Sequence, residues 1–288
     1  MSEPQRQKSF LCGLFGGGIA GTRSPAMHEA EGAALGLTYI YRPIDFAVLG
    51  RDAAALPDML AAAAAFGFDG LNITHPFKQA VIPLLDEVSD DARAIGAVNT
   101  VLLRDGRRIG HNTDWWGFAE NFRRGLPDVA RDHVVQVGAG GAGAAVAHAL
   151  LTLGVRDLAL LDLDAARAAA LVAGLNARFG AGRARLGGAA GAELARADGL
   201  VQCSPVGMQG HPGLPVPAAA LRPSLWVAEV IYFPLETELL RRARAAGCRT
   251  LDGGGMAVLQ AAEALRLFTG TTPDIARMLR GFAAAGGA

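Results

Sequence analysis

The chain has 288 residues, 51% of them hydrophobic, and its 27 basic and 27 acidic side chains leave a formal net charge of zero. That length gives one large or two ordinary domains with enough apolar matter for a sizeable core. The even scatter of charge, without a basic run, excludes the electrostatic footprint that nucleic acid or an anionic membrane requires, so a small molecule is the expected partner.

The three cysteines, Cys12, Cys203 and Cys248, are widely spaced and fit neither a disulfide framework nor a zinc site. They read as buried thiols in a reducing cytosol, with no metal expected. The stretch FLCGLFGGGIAG is broken by glycines where a signal peptide needs a continuous apolar region, and no run approaches the roughly 18 apolar residues of a membrane span. The expected location is cytoplasmic.

Taken in chain order, the first part alternates apolar strands with helices: FLCGLFG, the helix PAMHEAEGAALG, TYIYRPIDF, a helix around PDMLAAAAAFG, GLNIT, and a further helical stretch FKQAVIPLLDEV. Such alternation indicates a mostly parallel sheet covered by helices. Ser24 before Pro25 reads as an N-cap followed by proline at the first helical position. The segment AVNTVLLRDGRRIGHNT gives two strands around Asp105-Gly106, a hairpin signal.

From His133 a second βαβ series begins: HVVQVGAGGAGAAVAHALLTLG, DLALLDLDAARAAALVAGL, GLVQCSP, WVAEVIY, the helix TELLRRARAAG and the short strand CRTL. The tail reads as two helices, with Gly270 closing the first and Pro273 opening the second. The expected fold class is therefore α/β in two domains. Residues 1–113 plus 253–288 form a substrate-binding catalytic domain, residues 114–252 form a Rossmann dinucleotide-binding domain, and a cleft lies between them.

Two residue patterns carry chemistry. The first is the lysine of NITHPFK: only Lys8 and Lys78 are lysines in a chain otherwise charged by arginine. An ammonium can surrender its proton and a guanidinium effectively cannot, so Lys78 is a candidate acid–base group. Chance survival in an arginine-biased composition is the plain alternative, and it suffices for Lys8 in its polar leader. A dehydrogenase that oxidises an alcohol needs a base within reach of the hydroxyl, a role open to Lys78. Asp114, in GHNTDWWG, could assist that base or cap a helix where the two domains meet.

The second pattern is VGAGGAG, in which Gly138, Gly140 and Gly143 give G-x-G-x-x-G directly after an apolar strand and directly before a helix. Glycines there permit a tight turn and close approach of backbone N–H groups to a pyrophosphate, which the helix N-terminus stabilises. About 20 residues on, the next strand ends in Asp162, placed for ribose hydroxyls. Because a carboxylate accepts from a free 2′-hydroxyl and repels a 2′-phosphate, Asp162 favours NAD over NADP. Arg167, just beyond, could pair with a phosphate, but reads better as a solvated residue of the following helix.

The motifs TRSPAMHEAEG, NITHPFK, GAVNT, HNTD, GAGGAG and DGGGMAVLQAAEA, in this order and at these spacings, resemble the shikimate/quinate dehydrogenase family over about residues 11–280. The resemblance implies reversible hydride transfer between NAD and the secondary alcohol of shikimate or quinate, with Lys78 and Asp114 as the acid–base pair. It implies that Thr22 and Ser24 bind the substrate carboxylate beside Tyr232, and that Thr74, Asn99 and Gln260 bind the ring hydroxyls. It places Gly138, Ala139, Gly140, Gly141, Ala142, Gly143, Asp162, Arg167, Ile231 and Gly255 around the cofactor.

Departures from the family pattern carry information too. D-L-D-A-A-R replaces the N-R-T-x-x-R of NADP-using members and, with His75, resembles the NAD-preferring quinate/shikimate branch. QCSPVGM replaces the usual N-A-T-P-x-G-M, which leaves the cofactor contacts of that loop open. Trp115 and Trp116 stand where a glycine is common, and packing at a hinge is the plainer reading. Rival readings are a dehydrogenase of aminoshikimate or another modified ring, and a non-catalytic NAD- or quinate-binding sensor. Retention of both Lys78 and Asp114 counts against the sensor. A homodimer stays open as an assembly.

Overall fold

The computed structural model describes residues 8–286. The chain divides into two compact units, one made of the chain up to Thr113 together with the chain from Gln260, the other of Asp114–Leu259. In the first unit, β1 (Ser9–Gly16) lies between β2 (Thr38–Asp45) and β3 (Gly70–Ile73), parallel to both. Helices α1 (Ser24–Ala34) and α2 (Leu56–Ala65) make the crossovers. The hairpin β5 (Thr100–Arg104) and β6 (Arg107–His111) then adds antiparallel pairings next to β3, and β4 (Glu87–Val88) closes the far edge. The hairpin turns at Asp105 and Gly106, both with positive φ, as the sequence signal requires.

Two local expectations are corrected. FKQAVIPLLDEV forms turns, a 3-10 helix at Ile82–Leu84 and the short β4 instead of a helix. Pro83 removes a donor in the middle of the stretch. The helix that the stretch lacks appears just after it as α3 (Asp90–Ile95), capped by Ser89, whose hydroxyl accepts from the Ala92 N–H, and closed by left-handed Gly96. Ser24 is the first helical residue of α1 and not its cap, since Arg23 provides the first accepting carbonyl.

The second unit opens on α4 (Asp114–Gly125) and continues through β7 (His133–Val137), α5 (Gly141–Thr152), β8 (Asp157–Leu161), α6 (Ala165–Phe179), β9 (Ala184–Leu186), α7 (Ala190–Arg196), β10 (Gly199–Gln202), β11 (Trp226–Glu229), α8 (Glu238–Ala245) and β12 (Arg249–Leu251). Its six strands are all parallel, in the order β12-β11-β10-β7-β8-β9. This is the doubly wound dinucleotide-binding order, with its switch point between β7 and β10. Trp115 packs against the core of this unit, edge-on to His148 at a centroid distance of 5.4 Å.

Helix α9 (Gly254–Thr269) contributes to both units, because Met256 joins the core of the second, whereas Leu265 and Phe268 pack under β1 and β2 in the first. The division therefore runs through α9, not before it at residue 253. α10 (Ile275–Gly286) is capped by Asp274, whose carboxylate accepts from the Arg277 N–H, so Pro273 stands outside the helix. The same helix is tied to α1 by Arg277, which donates to the buried carboxylate of Glu31 at 2.6 and 2.7 Å. Cys12 and Cys248 are buried thiols and Cys203 is half-buried. No helix among the described residues is long and apolar enough to cross a membrane.

Candidate active site

In the first unit the polar residues singled out from the sequence gather at the C-terminal ends of β1 and β3 and along the neighbouring hairpin. Thr74 follows β3 directly, its N–H donating to the Phe15 carbonyl at 2.9 Å. The chain then turns, with the Phe77 N–H returning to the Thr74 carbonyl. Lys78 comes next, half-buried, and its carbonyl accepts from the Val98 N–H at 2.8 Å, which fixes the turn beside Asn99.

Asn99 is buried and fully engaged. Its Nδ2 donates to Thr113 Oγ1 at 2.9 Å, and its Oδ1 accepts from the Thr113 N–H at 2.7 Å. Thr113 Oγ1 lies 3.5 Å from Gln260 Oε1, so Gln260, on α9, belongs to this polar group and is no isolated helix-surface residue. Thr22 and Ser24 form a second group: Thr22 Oγ1 accepts from the Ser24 N–H and donates to Ser24 Oγ at 3.1 Å.

Tyr41 and Asn72 join the two groups, and neither was singled out from the sequence. The Tyr41 phenol adjoins Ser24 and donates to Asn72 Oδ1 at 2.8 Å. Asn72 Nδ2 then donates to the Asn99 carbonyl and to Thr100 Oγ1. Burial pushes the Tyr41 phenol well above its ordinary range, which keeps it neutral and a donor. The signal was available: Asn72 is the one polar side chain in a strand, GLNI, buried at every position.

Asp114 is the first residue of α4 in the second unit and is buried, where an acidic group is favoured by the helix dipole. The glycine loop lies between β7 and α5. Gly138 has φ +101°, and a Cβ there would stand 2.7 Å from the Cys203 backbone, while a Cβ on Gly143 would stand 2.2 Å from the Gly138 carbonyl oxygen. The turn and the helix are thus pressed together more closely than any side chain permits. Buried Gln136 stitches the loop by donating from Nε2 to the carbonyls of Gly138 and Gly143 at 2.9 and 2.8 Å. Gly140 caps α5 without a side-chain acceptor, and around Gly140 and Gly141 there is open space. The first turn of α5 therefore begins at open space, where the positive end of a helix favours an anion. Ala139 and Ala142 lie within the same turn.

Asp162 sits at the end of β8. Its Oδ2 accepts from the Ala139 N–H at 2.6 Å, and its Oδ1 accepts from the Asp164 N–H and from Arg167 Nη2, the latter at 2.6 Å. Burial raises the carboxyl, and the bonds from Arg167, Asp164 and Ala139 outweigh it and hold the group below the ordinary carboxylate range. Arg167 is exposed on α6 as expected, but its guanidinium rests on Asp162 and is not merely solvated. Ile231 is buried just past β11, Tyr232 is largely exposed, and Gly255 lies against the Asn121 side chain, which would leave a Cβ only 1.9 Å from Oδ1. Among the described residues no cluster of three or more His, Cys, Asp or Glu side chains could hold a metal ion.

Gly143→Ala is expected to lower stability by about 1–3 kcal/mol, the usual cost of an overpacked contact, because the opposing atom is backbone and cannot swing away. Gly141→Ala, which meets open space, should melt within about a degree or two of wild type. Thermal melting of the two variants decides, and equal melting points would overturn the close-packed loop.

Comparison with known proteins places these units in context. The family described as "Shikimate dehydrogenase substrate binding domain" matches residues 14–101. A relative from Streptomyces avermitilis named shikimate dehydrogenase (NADP(+)) is 58% identical over 95% of this chain and 94% of its own. One from Corynebacterium efficiens named quinate/shikimate dehydrogenase (NAD(+)) is 52% identical over 94% of this chain and 96% of its own. Among solved structures, quinate dehydrogenase from Corynebacterium glutamicum in complex with NAD superposes with a TM-score of 0.92 at 49% identity, covering 96% of this chain and 100% of that one.

Proposed function

Since the chain belongs to the shikimate dehydrogenase family of oxidoreductases, we propose that it interconverts shikimate, quinate or both with the 3-dehydro ketone, using NAD. The first unit is then the substrate-binding unit and the second the NAD-binding unit. The observation that carries the reading is the connected set of hydroxyl and amide side chains from Ser24 through Tyr41, Asn72, Asn99 and Thr113 to Gln260, beside Lys78. A polyhydroxylated ring acid needs such a surface of donors and acceptors held in fixed orientation, and here the side chains hold one another in place.

In this reading Thr22 and Ser24, with Tyr232, hold the carboxylate, while Thr74, Asn99 and Gln260 orient the ring hydroxyls. Lys78 takes the proton of the reacting hydroxyl, and Asp114 is its partner in managing that proton. NAD, when bound, supplies the hydride acceptor. Positioning supplies most of the rate and the proton-transfer pair the rest.

NAD is preferred in this reading because Asp162 presents a carboxylate to the ribose position, and the fully exposed Leu163 offers a 2′-phosphate no charge. The NADP-named relative at 58% identity makes this the point to test first. Initial rates at the reduced-nicotinamide absorbance band, with shikimate and quinate each paired with NAD and NADP, should show turnover with NAD exceeding that with NADP. The ratio of the two substrate rates names the enzyme. Failure of every pairing, with NAD still bound, would move the assignment to a modified ring or to a sensor.

A further inference from the structure

Glu229 is the last residue of β11 and is 1% exposed. Thr237 donates to its Oε2 at 2.5 Å, and Thr237 in turn accepts the Leu240 N–H as the cap of α8. Oε1 has no hydrogen-bond partner. It points towards Gly207, where a Cβ would stand 3.6 Å from Oε1 and 3.5 Å from the Ile231 side chain. Gly207 lies in the loop after β10, and that loop is folded back by Gln202, which donates to the Val206 carbonyl at 2.7 Å and to Ser204 Oγ at 2.9 Å.

The position of this carboxyl in the sheet gives it meaning. In this strand order a dinucleotide crosses the switch point, with its adenosine half over the acid at the end of β8 and its other half over the C-terminal ends of β10 and β11. The loop after β10 touches the glycine turn itself, since a Cβ on Gly138 would meet Cys203 and Ser204. Glu229 therefore lies beneath the rim on which the nicotinamide half rests, covered there by a residue without a side chain. Its place beneath that rim rests on the dinucleotide reading of the second unit.

We propose that Glu229 is a positioning residue that discriminates the redox state of the cofactor, its ionised form favouring the cationic oxidised nicotinamide over the neutral reduced one. The titratable groups facing it are Cys203 at the end of β10 and Asp252 at the end of β12. Burial above all, opposed by the Thr237 hydroxyl and helped by Asp252, raises the carboxyl to about 7. Glu229 is thus neutral at acidic pH and charged at alkaline pH. A cation bound nearby lowers the cost of the charged form, so affinity for oxidised NAD gains on affinity for NADH as pH rises through 7.

The test is equilibrium binding of NAD and of NADH to the full chain, by nucleotide and tryptophan fluorescence, from pH 5.5 to 8.5. NAD is the right pair because the 2′-phosphate of NADP itself titrates near 6. In wild type the ratio Kd(NADH)/Kd(NAD) is expected to rise about five- to tenfold across the range, as a screened charge pair a few ångströms apart would give. In Glu229→Gln it should stay at the acidic value. Thr237→Val, which keeps the acid but removes the donor that favours its charged form, should move the midpoint upward, and it decides the matter if Glu229→Gln does not fold. Binding of both nucleotides with a pH-independent ratio, or an unchanged profile in Glu229→Gln, would overturn the role of Glu229 alone. Binding of neither nucleotide would overturn the dinucleotide reading beneath it.

Discussion

Lys78→Ala is expected to lower kcat by about 10²–10⁴-fold, the usual contribution of a positioned acid–base group, while NAD binding stays unchanged. Lys78 is half-buried in the turn that follows β3, and the turn is fixed through its carbonyl and the Val98 N–H, a backbone bond that alanine retains. The loop therefore keeps its course when the side chain goes. Lys78→Arg separates the two things a lysine offers. A guanidinium keeps the positive charge beside the substrate but does not release a proton at neutral pH, so kcat should fall in this variant too while KM stays within severalfold of wild type. Steady-state rates for both variants, with nucleotide binding measured alongside, check the expectation. An active Lys78→Arg enzyme would reduce Lys78 to a fixed charge and require another base.

The second large effect concerns the cofactor. Asp162→Asn combined with Leu163→Arg is expected to raise kcat/KM with NADP relative to NAD by about a hundredfold or more, since removing a like-charge encounter and adding an arginine is together worth several kcal/mol. The geometry allows the change at little structural cost. The side-chain oxygen of asparagine can still accept from the Ala139 N–H, and Leu163 is fully exposed, so arginine there displaces no packing. Arg167, now resting on Asp162, would lose that ionic partner and keep only the longer pair with Asp164 at 3.7 Å, which leaves it available to the phosphate. Rates with both cofactors, for the double variant and wild type, give the answer. A wild type that already uses NADP as well as NAD, or a double variant with no gain, would show that Asp162 does not set the preference.

Periodicity and punctuation in the sequence were enough to find most strands and helices, because those signals are local. Asp105-Gly106 sets a hairpin through the φ values of two residues, and Gly270 ends α9 through its own. Where local signals compete, the stronger backbone constraint decides. FKQAVIPLLDEV has helix-forming residues, yet one proline removes the helix, and the short acidic segment behind Ser89 takes it up. The first turns of α10 show the same contest, won by the Asp274 cap over Pro273.

By itself the sequence determined the α/β class, the glycine turn with its acid at the end of the following strand, and the rarity of lysine that draws attention to Lys78. These depend on residue type and short spacing. Only the tertiary structure decided that Asn72 and Tyr41 join the two polar groups, that Arg167 rests on Asp162, and that Glu229 lies buried under a glycine with one oxygen unpaired. The first is a meeting of chain segments far apart in sequence, the second sets one of several possible partners for a nearby arginine, and the third is the absence of a partner. A hydrogen bond that forms or fails on folding leaves no periodicity for the sequence to display.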